Sequence, residues 1–413
     1  MSLTPTSILS GALVAALLAT GAHLPPAPAA DNSTVKEVIE TMENPTYAAA
    51  TAELSLRLLR LTADDSTRMV SAFSLSQALA LLAEGASGET LAEIEGAIGL
   101  SLDDLRDALP AYLTSLPSTE KASFRSANSI WAEENGFTLN ESYAERLKTH
   151  YAAEIRPIAF AAPGAAGEIN GWVSDATDGM IDKLVDDATV ASLTMLLINA
   201  ICFDAKWERP FSNITATGDF TCADGSTVKV DYMSSKNDRL LIDHAGTTGF
   251  VKPYADGGYS FVGLLPPEGT SLDDYLAGLS GADFVALVES AETCDRLKIK
   301  MPTFKLDYSV TLNDALKALG VERAFDPNEA ELTGLGEAGG NLYVDTVLQK
   351  THIDVDTEGT RAAAVTGIMV MATSAMMPVE YREINLDRPF VYAIIDNATS
   401  TPIFIGTVAE FEG

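Results

Sequence analysis

Four histidines, three cysteines and a surplus of carboxylates are the side chains of this chain that could do chemistry. His23, His150, His244 and His352 sit in no HExxH zinc-protease pair. No serine stands in a GxSxG elbow, and there is no GxxxxGK phosphate loop. Cys202, Cys222 and Cys294 are too widely spaced for a CxxC metal site and too few for a disulfide scaffold. One disulfide with a free thiol fits that count; three separate thiols is the simpler reading. Gly334-Leu335-Gly336-Glu337-Ala338-Gly339 does satisfy GxGxxG. A dinucleotide fingerprint, however, follows a strand and opens a helix. This one follows the acidic DPNEAELT and runs into NLYVDTVLQ, which alternates like a strand. With 58 acidic residues, paired carboxylates carry no information about acid–base work. The chain reads as a non-enzyme with no implied metal or cofactor.

What stands out instead is Ala362–Val379, eighteen consecutive residues without a charge in a chain that is 21% charged. Thr366, Gly367, Thr373, Ser374 and Pro378 make it a poor membrane span. It is also longer than most core strands. An extended segment able to enter a sheet is the third reading. Strand alternation puts Thr360, Ala362, Ala364, Thr366, Ile368, Val370 and Ala372 on one face, all small or apolar. Arg361 supplies the one charge, on the other face, so the first face could be buried without stranding a charge. An ordinary edge strand followed by a loop fits the same periodicity.

The elements around this segment change character along the chain. Leu75, Ala78, Leu79 and Leu82 recur at helical spacing and predict a helix facing a core; Asn140–Tyr151 reads as another helix. From about Leu193, apolar and β-branched runs of strand length take over, as in LTMLLINAICFDAKW, YSFVGLLPP and RPFVYAIID. Helices early and strands late, without βα alternation, predict an α+β fold. No linker or repeat divides residues 46–413, which read as a single domain. The net charge of −31 excludes binding of nucleic acid by counterion release, and it disfavours glycosaminoglycans and anionic membranes. At the N-terminus, the uncharged run Ile8–Ala22 and the Ala27-Pro28-Ala29 exit resemble a secretory signal over residues 1–30, although no Lys or Arg precedes the run. Residues 31–45 then read as a flexible segment. The expectation is a secreted, extracellular or periplasmic protein, with an uncleaved apolar tail as the alternative. Sequons at Asn32, Asn140, Asn213 and Asn397 are compatible with secretion.

Six phrases in order make the chain similar to the serpin family from about Thr46 to Phe411. They are SAFSLSQALALLAEGASGET, INGWVSDATDGMIDKLV, NAICFDAKWERPF, AELTGL, EGTRAAAVT and RPFVYAIIDNATSTPIFIGTV. The resemblance implies three β-sheets with eight or nine helices and an exposed reactive-centre loop over about residues 357–380. It implies suicide inhibition by a monomer: a serine protease attacks the loop, forms an acyl-enzyme and is trapped as the cleaved loop inserts into the main sheet.

By the same resemblance, Glu358, Gly359, Thr360, Ala362, Ala363, Ala364 and Thr366 form the hinge. Their small size favours an inhibitor over a non-inhibitory binding or storage member. Counting forward from Gly359 places the cleaved bond at Thr373-Ser374; counting back from Arg388 gives Met376-Met377, and Met371 is a further rival. These uncharged candidates imply an elastase-, chymotrypsin- or subtilisin-like target. Ser71, Ser74, Asn199 and Gln349 match the polar shutter beneath the sheet, and Trp207 matches the breach where the hinge enters, though it also reads as a core aromatic. Several positions depart from the family pattern. Ala72 replaces a usual Pro, Gln349 a frequent His, and Cys202 an aromatic, while Thr357 and Arg361 stand where Glu is usual. Gln349 keeps a donor and an acceptor, so the shutter is expected to survive the change.

Overall fold

Ser71 opens the helix that organises the core. Its Oγ accepts from the Ser74 backbone N–H at 3.1 Å, capping the helix Ala72–Ala83. Sequence periodicity predicts one buried stripe on this helix, yet all twelve of its residues are buried. It is apolar nearly all round because it runs through the interior, against Tyr47–Leu61, Gly88–Ile98 and Leu102–Ser115. The computed structural model describes residues 47–62, 67–116, 119, 121–151, 153–212, 214–360 and 381–411. The readings made for residues 1–45, and for Arg361, Ala362, Ala363, Ala364, Thr366, Met371, Thr373, Ser374 and Met376, lie outside them.

Ten α-helices and three sheets make up the described residues, an α+β architecture. The largest sheet has nine strands; its longest member, Thr227–His244, runs 18 residues, and the apolar strands Phe390–Asp396 and Pro402–Val408 lie near one edge. A two-stranded ribbon pairs Phe137–Leu139 with Gly336–Ala338. The GxGxxG run therefore opens a strand and no helix. Its Gly336 is needed for close packing, since a Cβ there would lie 2.3 Å from the Thr138 carbonyl oxygen.

The six-stranded sheet positions the site. Its order is Phe304–Thr311, Thr346–Val355, Gly359–Thr360, Met195–Lys206, Ala122–Glu133 and Glu154–Ile158. Along Met195–Lys206, residues Met195, Leu197, Ile201 and Phe203 enter the main core. Leu196, Ile198 and Ala200 pack on the other face with Ile169 and Val173 of the helix Ala165–Ala176. Burial on both faces explains why this strand reads as an unbroken apolar run. The helix matched over Ile169–Val185 is shorter than its sequence phrase: it stops at Ala176, and Asp178 and Gly179 then take positive φ values of 50° and 74°. The other helical run divides into Glu141–Arg146, capped by Asn140, and a π-helical turn at Leu147–Tyr151. All three cysteines are free thiols.

Candidate functional site

The two middle strands of this sheet, Met195–Lys206 and Thr346–Val355, run parallel. They pair from Leu196↔Thr346 to Cys202↔His352, while their outer neighbours Ala122–Glu133 and Phe304–Thr311 are antiparallel to them. Beyond His352 the parallel joint opens. Gly359–Thr360 enters there, antiparallel to both sides, with Thr360 paired to Ala205 and to Val355. Parallel pairing is slightly the weaker arrangement per residue.

The entering turn is held by its own side chain and by the strand it joins. Asp356 Oδ1 accepts from the Glu358 and Gly359 N–H groups at 2.8 and 3.0 Å, an Asx-type turn. Trp207 donates its backbone N–H to the Glu358 carbonyl and its indole Nε1–H to the Asp356 carbonyl, both at 2.9 Å. Gly359 admits no side chain: a Cβ would lie 2.1 Å from the Ala205 carbonyl oxygen. Thr360 is fully buried, with its Oγ1 2.6 Å from the Tyr254 hydroxyl. The Tyr254 ring stacks on Trp207 at 4.6 Å and 9°. Trp207 is thus both a core aromatic and a clasp for the turn. Beneath it, the buried Lys252 ammonium pairs with Asp238 at 2.8 Å and lies 4.3 Å from the centre of the Phe211 ring. Burial lowers the Lys252 pKa, and the Asp238 charge opposes that shift. Thr357 contributes its carbonyl, which accepts from Phe211 N–H at 2.9 Å.

Further down the joint lies a buried polar network. Gln349 Nε2 donates to Asn199 Oδ1 at 2.7 Å and to the Ser71 carbonyl at 3.0 Å, while Gln349 Oε1 accepts from the Ser71 N–H at 3.0 Å. Asn199 Nδ2 donates to Ser74 Oγ at 2.5 Å and to Asn128 Oδ1 at 2.6 Å. Asn128 Nδ2 donates to Gln77 Oε1 and to Ser126 Oγ, each at 3.0 Å. The structure therefore brings Ser71, Ser74, Asn199 and Gln349 together, and the amide at position 349 uses both of its polar ends. Ala72 fills the first helical position after Ser71, whose φ of −124° and ψ of 93° are extended without a following proline. Cys202 is buried with its thiol pushed up to about 12 by desolvation, which makes it inert.

Ser126, Asn128, Gln77, Tyr254 and Asp356 also belong to the site, and sequence reasoning did not single them out. Ser126 and Asn128 alternate on one strand face, a pattern that looks solvated until the Ala72–Ala83 helix is laid against it. Among the described residues, no group of three or more His, Cys, Asp or Glu could hold a metal ion. The arrangement supplies a sheet closed by side-chain hydrogen bonds and already opened at one end.

Comparison with known proteins agrees with this geometry. The sequence model for Serpin (serine protease inhibitor) matches residues 49–411. Leukocyte elastase inhibitor A of Mus musculus is 33% identical over 357 residues, covering 82% of this chain and 92% of that protein. Iris of Ixodes ricinus is 31% identical over 348 residues, covering 82% and 91%. The thermophilic serpin tengpin in its native state superposes with a TM-score of 0.82 at 38% identity, covering 90% of this chain and 96% of that one. In its latent state the TM-score falls to 0.75, at 36% identity with 90% and 100% covered. With its sheet order, its half-open parallel joint and these relatives in agreement, the chain belongs to the serpin family.

Proposed function

We propose that this serpin is a secreted inhibitor that traps serine proteases as acyl-enzymes, by inserting its cleaved loop between Met195–Lys206 and Thr346–Val355. The observation that carries the reading is the buried, antiparallel seat of Gly359–Thr360 between those strands. A strand that has begun in this place extends by adding antiparallel rows on both sides, and each row replaces part of the weaker parallel joint. In the chemical step the protease serine attacks the carbonyl of the residue before the cut bond. An ester forms and the amine of the next residue leaves. The bond is assigned to Thr373-Ser374, with Met371 and Met376 as rivals. About 14 residues at roughly 3.3 Å each would then carry the ester on the order of 45 Å along the sheet.

Glu358, Gly359 and Thr360 act as the described part of the hinge, and Ser71, Ser74, Asn199 and Gln349 as the shutter that must open. The uncharged candidates around residue 373 support an elastase-, chymotrypsin- or subtilisin-like target, in line with the name of the murine relative. The uncharged run Ile8–Ala22 supports export. A second reading, a non-inhibitory binding or storage protein, is motivated by Thr357, which brings no charge to the seat of the hinge.

Mixing the protein with elastase, chymotrypsin, subtilisin and trypsin tests the proposal. A complex that survives boiling in denaturant is expected with at least one of the first three. The mass of the released C-terminal fragment identifies the bond. Cleavage without any trapped protease would favour the non-inhibitory reading.

A further inference from the structure

The residues that clasp the entering turn also border an open cavity of about 310 Å³. Glu208 and Arg209, which follow Trp207, form one wall. Asp238, Arg239 and Leu240 come from the strand Thr227–His244, and Lys252 and Pro253 from the end of the strand Thr247–Pro253. Three cations and two carboxylates thus line a cavity in a chain whose net charge is −31. Both carboxylates are already engaged. Asp238 Oδ1 accepts from Lys252 Nζ at 2.8 Å and its Oδ2 from the Ser235 hydroxyl, while Glu208 faces Arg209 at 3.9 Å. Arg239 is exposed, and among the described residues no carboxylate pairs with it. The balance inside the cavity is therefore positive, against the sign of the whole molecule.

We propose that this cavity binds a small dicarboxylate, and that its occupancy holds the neighbouring hinge turn in its seat. A guanidinium presents its donors as a planar fork that matches a carboxylate, which Arg239 offers from the solvent side. The Lys252 side chain is only 1% exposed, and its hydrogen bond to Asp238 uses one of three ammonium donors. It supplies a second cationic point in a cleft where low-dielectric walls strengthen the field. Leu240 and Pro253 give the cavity an apolar side, which suits a short hydrocarbon spacer between two carboxylates and offers nothing to an inorganic anion. The coupling follows from the chain. Glu208 N–H donates to the Pro253 carbonyl at 3.0 Å, and the next residues inward, Trp207 and Tyr254, form a β-bridge and stack. Lys252 Nζ lies 4.3 Å from the Phe211 ring centre and 5.6 Å from that of Trp207. Trp207 and Phe211 hold the carbonyls of Asp356, Thr357 and Glu358. A ligand that fixes one wall against the other restrains these residues, and so favours the seated turn by its preference for that state.

The test titrates the full chain with glutarate in a calorimeter at a constant ionic strength of about 0.15 M. Saturable binding of one glutarate per chain is expected. Arg239→Gln should weaken it about tenfold or more. Arg296→Gln removes an equally exposed charge that does not line the cavity, and should stay within about twofold of the parent. Butyrate, with one carboxylate, and inorganic phosphate, with no apolar body, should each bind at least about tenfold more weakly than glutarate. At saturation, hydrogen exchange of the Trp207 N–H, which bonds the Glu358 carbonyl, should slow about threefold or more. No saturable binding, or equal losses in the two arginine variants, overturns the site. Phosphate or butyrate binding as tightly as glutarate overturns the dicarboxylate assignment, and unchanged exchange at Trp207 in the saturated protein overturns the coupling. These readings need no trapped protease, so they stand or fall separately from the inhibitor proposal.

Discussion

Gln349 and Asn199 are register partners across the parallel joint, and their side chains hydrogen-bond at 2.7 Å with both residues fully buried. A strand entering between them has to break that bond. In the proposed insertion that bond would act as a latch on the sheet, its strength set by the cost of leaving buried amides unpaired, about 1–3 kcal/mol for each group.

Gln349→Leu removes the bond to Asn199 Oδ1 and leaves the Ser71 N–H without its acceptor, while the Ser71 carbonyl keeps the Leu75 N–H. The intact protein should lose about 1–3 kcal/mol in urea unfolding and convert more quickly on incubation to a heat-resistant form. Gln349→His, which retains a donor and an acceptor, should lose less. Unchanged stability in the Leu variant would show that the network carries no load.

The proposed hinge seat has no room for a side chain at Gly359. Gly359→Ala puts a methyl group 2.1 Å from the Ala205 carbonyl oxygen, so the Gly359–Thr360 pair should be expelled. Loss of hydrogen-exchange protection at the Trp207 N–H, which bonds the Glu358 carbonyl, would report it. Thr360→Arg forces a charge into a fully buried position beside Tyr254. It should turn an inhibitor into a substrate that is cut without being held. Complexes persisting undiminished on a denaturing gel would remove the hinge role from Thr360.

Below the hinge, Asp238→Ala strands the Lys252 ammonium in a site where it is only 1% exposed. Breaking one side of such a pair typically costs about 3–5 kcal/mol, whereas replacing both partners with apolar residues of similar size is often neutral. Chemical denaturation of Asp238→Ala and of the double variant Asp238→Leu with Lys252→Met should show this contrast. Equal losses in the two proteins would contradict it.

Buried phenols make the fold sensitive to alkali. Desolvation raises the pKa of Tyr47, Tyr254, Tyr259 and Tyr392 above the ordinary value of 10.0. The folded chain therefore keeps phenolic protons that the unfolded chain has released. The corresponding stability is complete below pH 10 and declines as pH rises beyond it. The ultraviolet phenolate signal of these residues should appear together with unfolding in an alkaline titration. Ionisation that precedes loss of structure would mean that the rings are less buried than they are placed here.

Much of this architecture is readable locally. The periodicity of Leu75, Ala78, Leu79 and Leu82 marks a helix, and the smallness of Gly359 and Thr360 suits a strand that must slip between others. What escaped local reading has a common cause. Tyr254 looks like any strand aromatic, and Asp356 like any turn residue. Ser126 and Asn128 look solvent-facing. Their roles come from partners far away in sequence: Tyr254 is 106 residues from Thr360, and Asn128 is 71 from Asn199. The full burial of the Ala72–Ala83 helix was likewise hidden, because a periodic stripe reports one apolar face and says nothing about what covers the opposite one.

By itself the amino-acid order settled the α+β class, the family phrases and the uncharged stretch that follows Gly359-Thr360-Arg361, since each depends on neighbours within a turn or a strand. Tertiary structure alone decided that Ser71 meets Gln349 across 278 residues, that the middle strands run parallel, and that Gly359–Thr360 is seated between them. Strand order and register are settled by the combined burial of two sheet faces, and no local pattern of side chains contains that sum.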